Sequence, residues 1–574
     1  MSAISIPRIV ISGLRGGSGK TILSLCLIAL WHKKGLKIIP FKKGPDYIDA
    51  GWLSKAAGTP CYNLDLFMMT PEQAFQSFIS HTCNIQTFTS QRLIKEDENK
   101  LTPSPSSPPV KGGEIITVPS PLAGEGQGEG VFSGQIALIE GNRGLYDGVD
   151  HKGTYSTAEL AKLLSAPVIL IVDSTKATNT IAAMVLGCQK MDPDVLIGGI
   201  VLNQVATSRQ ESLIRKAIND TCKLPVLGAI PRLKSDPFPE RHMGLTPFQE
   251  HLDIEKSISV VSEIGEKYLD MDGIWKVANE AIPLKVSSVR HLSLSRLSNN
   301  VIARSRATKQ SHKGIESREI ATSRIIGTRN DKKGIIRQSV RIGVIKDSAF
   351  QFYYPDNFEE LEKRGAQLIE INALEENKLP EIDALYIGGG FPETNAVALA
   401  ENISFKNSLR DAIEKGLPVY AECGGLMYLG ESLVLNNKTY PMAGVLPVVF
   451  GLEKKPQAHG YTIIEVEKPN PYFLQNIVLK GHEFHYSRVL EINTPLTPLN
   501  RGEESPPLKK GDVGGFSEQT YMAFNVRRGK GIIEGKDGLC YKNVLATYTH
   551  LHAVGASEWA DGLIRCAKKF KNQI

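Results

Sequence analysis

At 574 residues the chain is too long for one hydrophobic core, and its 41% apolar and 22% charged content is that of an ordinary globular protein, not a fibre or a disordered chain. The formal charge of +6 does not mark a nucleic-acid binder, because thirteen Lys and Arg crowd into residues 290–341 against three acids, with no aromatic residue suited to stacking on bases among those basic positions.

The N-terminus runs directly into a strand, with no signal peptide expected before it, and no apolar run is long enough to span a bilayer. Eight cysteines without a Cys-x-x-Cys pair argue against a zinc site and a disulfide framework, and for a reducing, cytoplasmic setting. The first half alternates apolar strands with helical patterns. Strands are expected at 8–12, 37–41, 136–140, 168–173 and 197–203, which is the rhythm of an α/β parallel sheet.

The first strand feeds Gly13-Leu14-Arg15-Gly16-Gly17-Ser18-Gly19-Lys20-Thr21, a glycine turn that opens a helix. Such a turn closes backbone N–H groups on phosphate oxygens, at the positive end of the helix dipole. Lys20 is expected to reach the terminal phosphates of ATP and Thr21 to ligate Mg²⁺. The leading glycine falls at 13 instead of 14, a longer loop of the kind seen in dethiobiotin-synthetase-type enzymes. Acidic clusters follow two later strands, at Lys42-Lys43-Gly44-Pro45-Asp46-Tyr47-Ile48-Asp49 and at Glu140 through Asp147. In an open parallel sheet the ligand crevice lies beyond the C-terminal strand ends. Asp46 and Glu140 are therefore expected to complete the metal shell with Thr21, and Lys42 to neutralise a transferring phosphoryl group. Tyr47, Asp49 and Asp147 are expected to face the acceptor or the phosphoryl transfer. Asn203, at a strand end, is expected either to read adenine or to serve a turn.

Pro-, Gly- and Ser-rich stretches near 97–132 and 494–517 contain two similar elements, Ser107-Pro-Pro-Val-Lys and Ser505-Pro-Pro-Leu-Lys, and are expected as disordered surface insertions. The basic span 286–339 reads as a linker between an N-terminal domain over 1–270 and a C-terminal one over 340–571. In the second domain strands are expected at 341–346, 384–387 and 418–422 and helices at 357–364 and 405–415. Its centre is Tyr420-Ala421-Glu422-Cys423-Gly424-Gly425, the layout of a nucleophile elbow: a strand stops, Cys423 occupies a sharp turn, and a helix begins. The helix N-terminus is expected to favour the thiolate. Gly389 and Gly390 after another strand, with Gly424, suit an oxyanion hole. His550, ending a strand far along the chain, suits the base of a Cys–His pair.

These residues, with FKKGPDYIDAGW (41–52), NLD (63–65), EGNRGLYDG (140–148), FYYPDN (352–357), YIGGGFPE (386–393), GHEFHYS (481–487) and THLH (549–552), resemble the cobyrinic acid a,c-diamide synthase family. The resemblance implies a P-loop amidoligase domain joined to a flavodoxin-like class I glutamine amidotransferase domain. It implies that ATP converts the a and c carboxylates of cobyrinic acid to acyl phosphates, which ammonia from L-glutamine then attacks. It puts the thiol-activating histidine at His550 and substrate-region residues at Glu483, His485 and Tyr486, for which a hydrogen-bonded structural role is the alternative. Expected partners are thus a corrinoid acid and glutamine, with neither nucleic acid nor membrane; the oligomeric state stays open, a homodimer being one option. Class I glutaminases with a Cys-His-Glu set carry an acid two residues after the histidine; here that place holds His552, so the partner of His550 stays open. Lys43, where the family commonly has a neutral residue, reads as a solvated side chain. Two alternatives remain: the same chemistry on hydrogenobyrinic acid or nickel-sirohydrochlorin, and a P-loop switch ATPase with an inactive glutaminase-like domain.

Overall fold

The structure is a computed structural model that describes residues 3–83, 115–117, 134–233, 240–241, 244–251, 253–285, 339–493 and 520–573. The linker 286–338 and the insertion at 494–519 lie outside the described residues, as does most of the 97–132 insertion. Within the latter, Ile115–Thr117 is a strand parallel to Ala3–Ser5, where no regular structure was expected.

Seven parallel strands form the first sheet: β1 (Arg8–Gly13), β2 (Lys37–Lys43), β3 (Tyr62–Leu64), β4 (Gln135–Gly144), β5 (Val168–Asp173), β6 (Ile197–Val205) and β7 (Val226–Pro231), in the order β3-β2-β4-β1-β5-β6-β7. β1 is central and buried along its whole length. It leads through the glycine loop into α1 (Lys20–Lys33), whose residues Leu23 to Trp31 are all buried, so this helix is apolar on every face and lies inside the domain. α2 (Ile48–Ala57) follows β2, and α3 (Pro71–Thr82) starts on a capping box between Thr70 and Gln73.

The second sheet has nine strands: β8 (Val340–Ile345), β9 (Ala366–Ile371), β10 (Ala384–Ile387), β11 (Val419–Glu422), β12 (Ala458–Val466), β13 (Val478–His485), β14 (Thr520–Arg528), β15 (Lys536–Tyr541) and β16 (Val544–Thr547), in the order β9-β8-β10-β11-β16-β15-β14-β12-β13. From β9 to β16 the pairing is parallel, as expected; from β16 to β13 it is antiparallel. The antiparallel half, on which the strand–helix alternation was silent, has a local reason. β15 and β16 are separated by a tight turn, too short for the crossover that parallel neighbours need. α4 (Pro355–Lys363) and α5 (Gly424–Leu429) flank the parallel half.

The two domains are held by specific contacts. Tyr62 donates to Glu359 at 2.8 Å, Tyr461 to Asp65 at 2.6 Å, and the Gln73 amide to the Val554 carbonyl at 2.7 Å. A Cβ on Gly555 would lie 2.0 Å from the Met68 carbonyl, so the backbones approach too closely for any side chain there.

Candidate active sites

The glycine loop has the shape its sequence implies. Gly17 and Gly19 take φ of 71° and 94°, a left-handed backbone that glycine adopts without strain, and no atom stands within 4 Å of a Cβ placed on Gly16 or Gly17. That side of the loop is open to a ligand. Ser18 Oγ donates to the Arg15 carbonyl at 2.9 Å, and Lys20 Nζ lies 3.5 Å from the same oxygen.

Beside the loop, β2 and β4 run parallel with Lys42 opposite Glu140. Lys42 Nζ donates at 2.6 Å to both Glu140 Oε1 and Asp49 Oδ2, and Thr21 Oγ1 donates to Glu140 Oε1 at 2.9 Å. Burial works against charge on Lys42, but Asp49, Glu140 and Asp46 outweigh it and hold the ammonium protonated above its ordinary range. Burial and the neighbouring Asp49 carboxylate push Asp46 up to about 7, while its Oδ1 accepts from the Asp49 N–H at 3.0 Å. Among the described residues no group of three or more His, Cys, Asp or Glu forms a metal cluster. Mg²⁺ needs none, since it takes one or two carboxylates with phosphate oxygens and water. The residues fit that ion: the other Glu140 oxygen, Oε2, is buried without a hydrogen-bond partner, beside the Thr21 hydroxyl.

Asn203 is seen in the second of its two expected readings, as a turn residue. Asn203 Nδ2 donates to the Ser18 carbonyl at 3.0 Å and its Oδ1 accepts from the Gln204 N–H, so both ends of the amide serve the chain and one braces the phosphate loop. Asp147 Oδ2 accepts from the Gly144 N–H at 2.8 Å and holds the turn after β4. Lys43 is not solvated: it is 4% exposed, and burial lowers its pKa against the pull of Asp65. The ring of Tyr47 leaves the ATPase crevice and packs into the other domain.

In that domain Cys423 joins β11 to α5 with φ 47° and ψ −97°, a conformation that costs a non-glycine residue about 1–3 kcal/mol. The turn is tied down on both sides, by Cys423 N–H to the Thr547 carbonyl at 2.8 Å and Gly425 N–H to the Gly388 carbonyl at 3.1 Å. The sulfur lies 3.8 Å from the Phe484 carbonyl on β13, within the GHEFHYS segment. Burial, followed by the charge of Glu393, pushes the thiol up, and the Gly424 N–H facing it only partly offsets this. The expected resident thiolate is thus reversed in the free protein: the short helix contributes less than the lost hydration takes away.

His550 and the oxyanion glycines surround the elbow. A Cβ on Gly389 would touch His550 Cε1 at 2.5 Å, and one on Gly424 would sit 3.0 Å from Gly390 N. His550 Nδ1 lies 3.2 Å from Glu422 Oε2. An ionised carboxylate only accepts, so Nδ1 carries the proton and Nε2 is left basic. Glu422 is thus the acid beside His550 that the sequence did not reveal. The signal was present, a charged residue closing an otherwise apolar strand, but it needs the β11–β16 pairing to be interpreted. His552, at the position where an acid was sought, faces away, with Nε2 3.3 Å from Asp356 Oδ2 at the domain junction. Glu483 accepts from the N–H groups of Lys530 and Gly531 at 2.6 and 3.0 Å, and His485 stacks on Tyr548 with centroids 3.6 Å apart. Both brace the strand that passes the thiol.

A phosphate-binding loop in one domain and a Cys–His–Glu set in the other define a glutamine-hydrolysing ligase. Residues 9–245 match the CobQ/CobB/MinD/ParA nucleotide binding domain family and residues 341–557 the CobB/CobQ-like glutamine amidotransferase domain. A cobyrinate a,c-diamide synthase of Magnetococcus marinus is 35% identical over 98% of this chain and 97% of its own. One from Archaeoglobus fulgidus is 33% identical over 99% of each. The chain belongs to the cobyrinate a,c-diamide synthase family. Among the described residues no helix is long and apolar enough to cross a membrane.

Proposed function

We propose that this chain amidates the a and c side-chain carboxylates of cobyrinic acid in turn, using ATP and glutamine-derived ammonia, as a cytoplasmic step of cobalamin biosynthesis. The observation that carries this reading is the conjunction, in one chain, of an oriented His550–Glu422 pair beside Cys423 and an open glycine loop beside Lys20, Lys42 and Glu140.

In the glutaminase half, Cys423 Sγ attacks the carboxamide carbon of glutamine while His550 Nε2 takes the thiol proton. Because burial disfavours a free thiolate, proton removal and attack go together. Glu422 steadies the imidazolium through Nδ1–H, and N–H groups of Gly424 and Gly390 receive the oxyanion. His550 returns the proton to the leaving nitrogen, ammonia departs, and water hydrolyses the thioester to glutamate. In the ATPase half, an oxygen of the corrinoid carboxylate attacks the γ-phosphorus and ADP leaves. A carboxylate is a poor electrophile until so activated; ammonia then displaces phosphate from the acyl carbon. Lys20 and Lys42 balance the charge on the transferring group. Mg²⁺, held by Thr21, Glu140 and Asp46, would neutralise the phosphate oxygens when bound.

The test is incubation with ATP, Mg²⁺, glutamine and cobyrinic acid, with mass spectrometry following two successive acid-to-amide conversions. Hydrogenobyrinic acid and nickel-sirohydrochlorin are run alongside, and preference for either would replace the substrate named here. Cys423→Ala should lose glutamine-dependent synthesis and keep synthesis from ammonium salt. Loss of both in a folded protein would overturn the role given to Cys423.

A further inference from the structure

Tyr47 belongs by sequence to the ATPase domain and by contact to the glutaminase. It caps the start of α2 between Asp46 and Asp49, the second of which holds Lys42. Its ring lies 4.5 Å from Tyr354, 5.6 Å from His482 and 5.5 Å from the base His550, measured between centroids. It also stacks on Phe352 at 5.3 Å with an interplanar angle of 6°. Phe352 lies in the short strand that pairs with Gly389 and Gly390, so one ring touches the base and packs on the strand beside the oxyanion segment. A second chain of contacts runs beside it. The Pro45 carbonyl accepts from Tyr354 O–H at 3.3 Å, that oxygen lies 3.2 Å from His482 Nδ1, and the His482 ring stacks on His550 at 4.8 Å. On its other side Tyr47 borders a cavity of about 120 Å³ between the domains, lined also by Gly51, Asn63, Phe248 and Tyr353.

We propose that Tyr47 is the positioning residue that couples the two sites: its ring closes against His550 when the ATPase crevice is empty, and turns toward the neighbouring cavity when ATP and the acid fill it. This rests on the function proposed above. A ligand moves such a ring only by binding its two positions differently. Lys42 supplies the difference, because the γ-phosphate competes for the ammonium that here bonds Asp49, and a change at Asp49 alters the first turn of α2, where Tyr47 stands. The turned ring frees His550 to move protons and opens the junction to ammonia, so that nitrogen is released when an acceptor is ready.

The experiment measures glutamate release by the full chain with and without ATP, Mg²⁺ and cobyrinic acid, together with the ratio of glutamate to amide formed. Wild type and Tyr47→Phe should show stimulation of about 5–150-fold, the span of ordinary coupling free energies, and a ratio near unity. Tyr47→Ala should lose most of that stimulation and raise the ratio several-fold. An alanine variant that responds as wild type does, or a phenylalanine variant that loses the response, would overturn the proposal. Ammonium-driven amidation by the alanine variant separates loss of coupling from loss of fold. If wild type amidates none of the acids, the function reading fails separately, and the response of glutamate release to ATP and Mg²⁺ alone still tests Tyr47.

Discussion

Three donors converge on Glu422, a side chain with no exposed surface: Tyr386 O–H, His550 Nδ1–H and Leu551 N–H, each at 3.2 Å. Glu422→Gln preserves the shape and replaces an acceptor by an amide that can present N–H to the imidazole. His550 would then adopt the other tautomer, with Nε2 protonated and unable to take the thiol proton. Glutaminase kcat should fall about 10²–10⁴-fold, with glutamine KM little changed and ammonium-driven amidation retained. A fall of less than tenfold, measured as glutamate release, would show that Glu422 only fills space. Cys423 stood out because it directly follows a strand and precedes two glycines, and His550 because it comes three residues after a strand, both local patterns. Glu422 did not, because its role depends on which strand lies beside β11. Lys43 misled as well, since its burial comes from the packing around it and not from its neighbours in sequence.

At the scale of elements, the site is made by a few strand ends whose approach leaves no room for side chains. A Cβ on Gly390 would lie 2.0 Å from the Ala349 carbonyl, in the strand pair that presents the oxyanion donors. A backbone oxygen cannot give way as a flexible side chain can. Gly390→Ala should therefore open this pair and lower glutaminase kcat about 10²–10³-fold, the usual cost of one oxyanion donor, while ATP binding to the other domain persists. Titration calorimetry with ATP and a glutaminase assay on the same preparation check both halves, and unchanged glutamine turnover would remove Gly390 from the oxyanion site. Most of the parallel strands were legible as apolar runs, but β3, β7 and β9 were not among those expected. The antiparallel half was not legible: β12 mixes buried with partly exposed positions and β14 runs out into exposed Arg527 and Arg528, so neither is a continuous apolar run.

For the whole molecule, the domain junction stores a pH dependence in His482. This ring is 5% exposed, with Tyr354, Tyr47 and His550 packed on it; burial, followed by the charges of His550, His459 and His552, holds its pKa well below the usual histidine value. The folded chain thus refuses a proton that the unfolded chain accepts. Such a histidine leaves stability intact above about pH 6.5, and costs about 1.4 kcal/mol for each pH unit below it, until the folded-state pKa is reached. The stability curve of the whole protein does not isolate this, because Asp46, raised to about 7, works in the opposite direction by taking up a proton in the folded state first. The difference between wild type and His482→Gln does isolate it. Glutamine can still donate to the Tyr354 oxygen and does not titrate, so wild type should lose ground to the variant as pH falls from about 6.5 toward 5. Denaturant midpoints of both proteins at matched pH values measure the difference. A difference that stays constant across that interval would mean that the imidazole is protonated in the folded protein, and that the junction between the two domains holds a charge there.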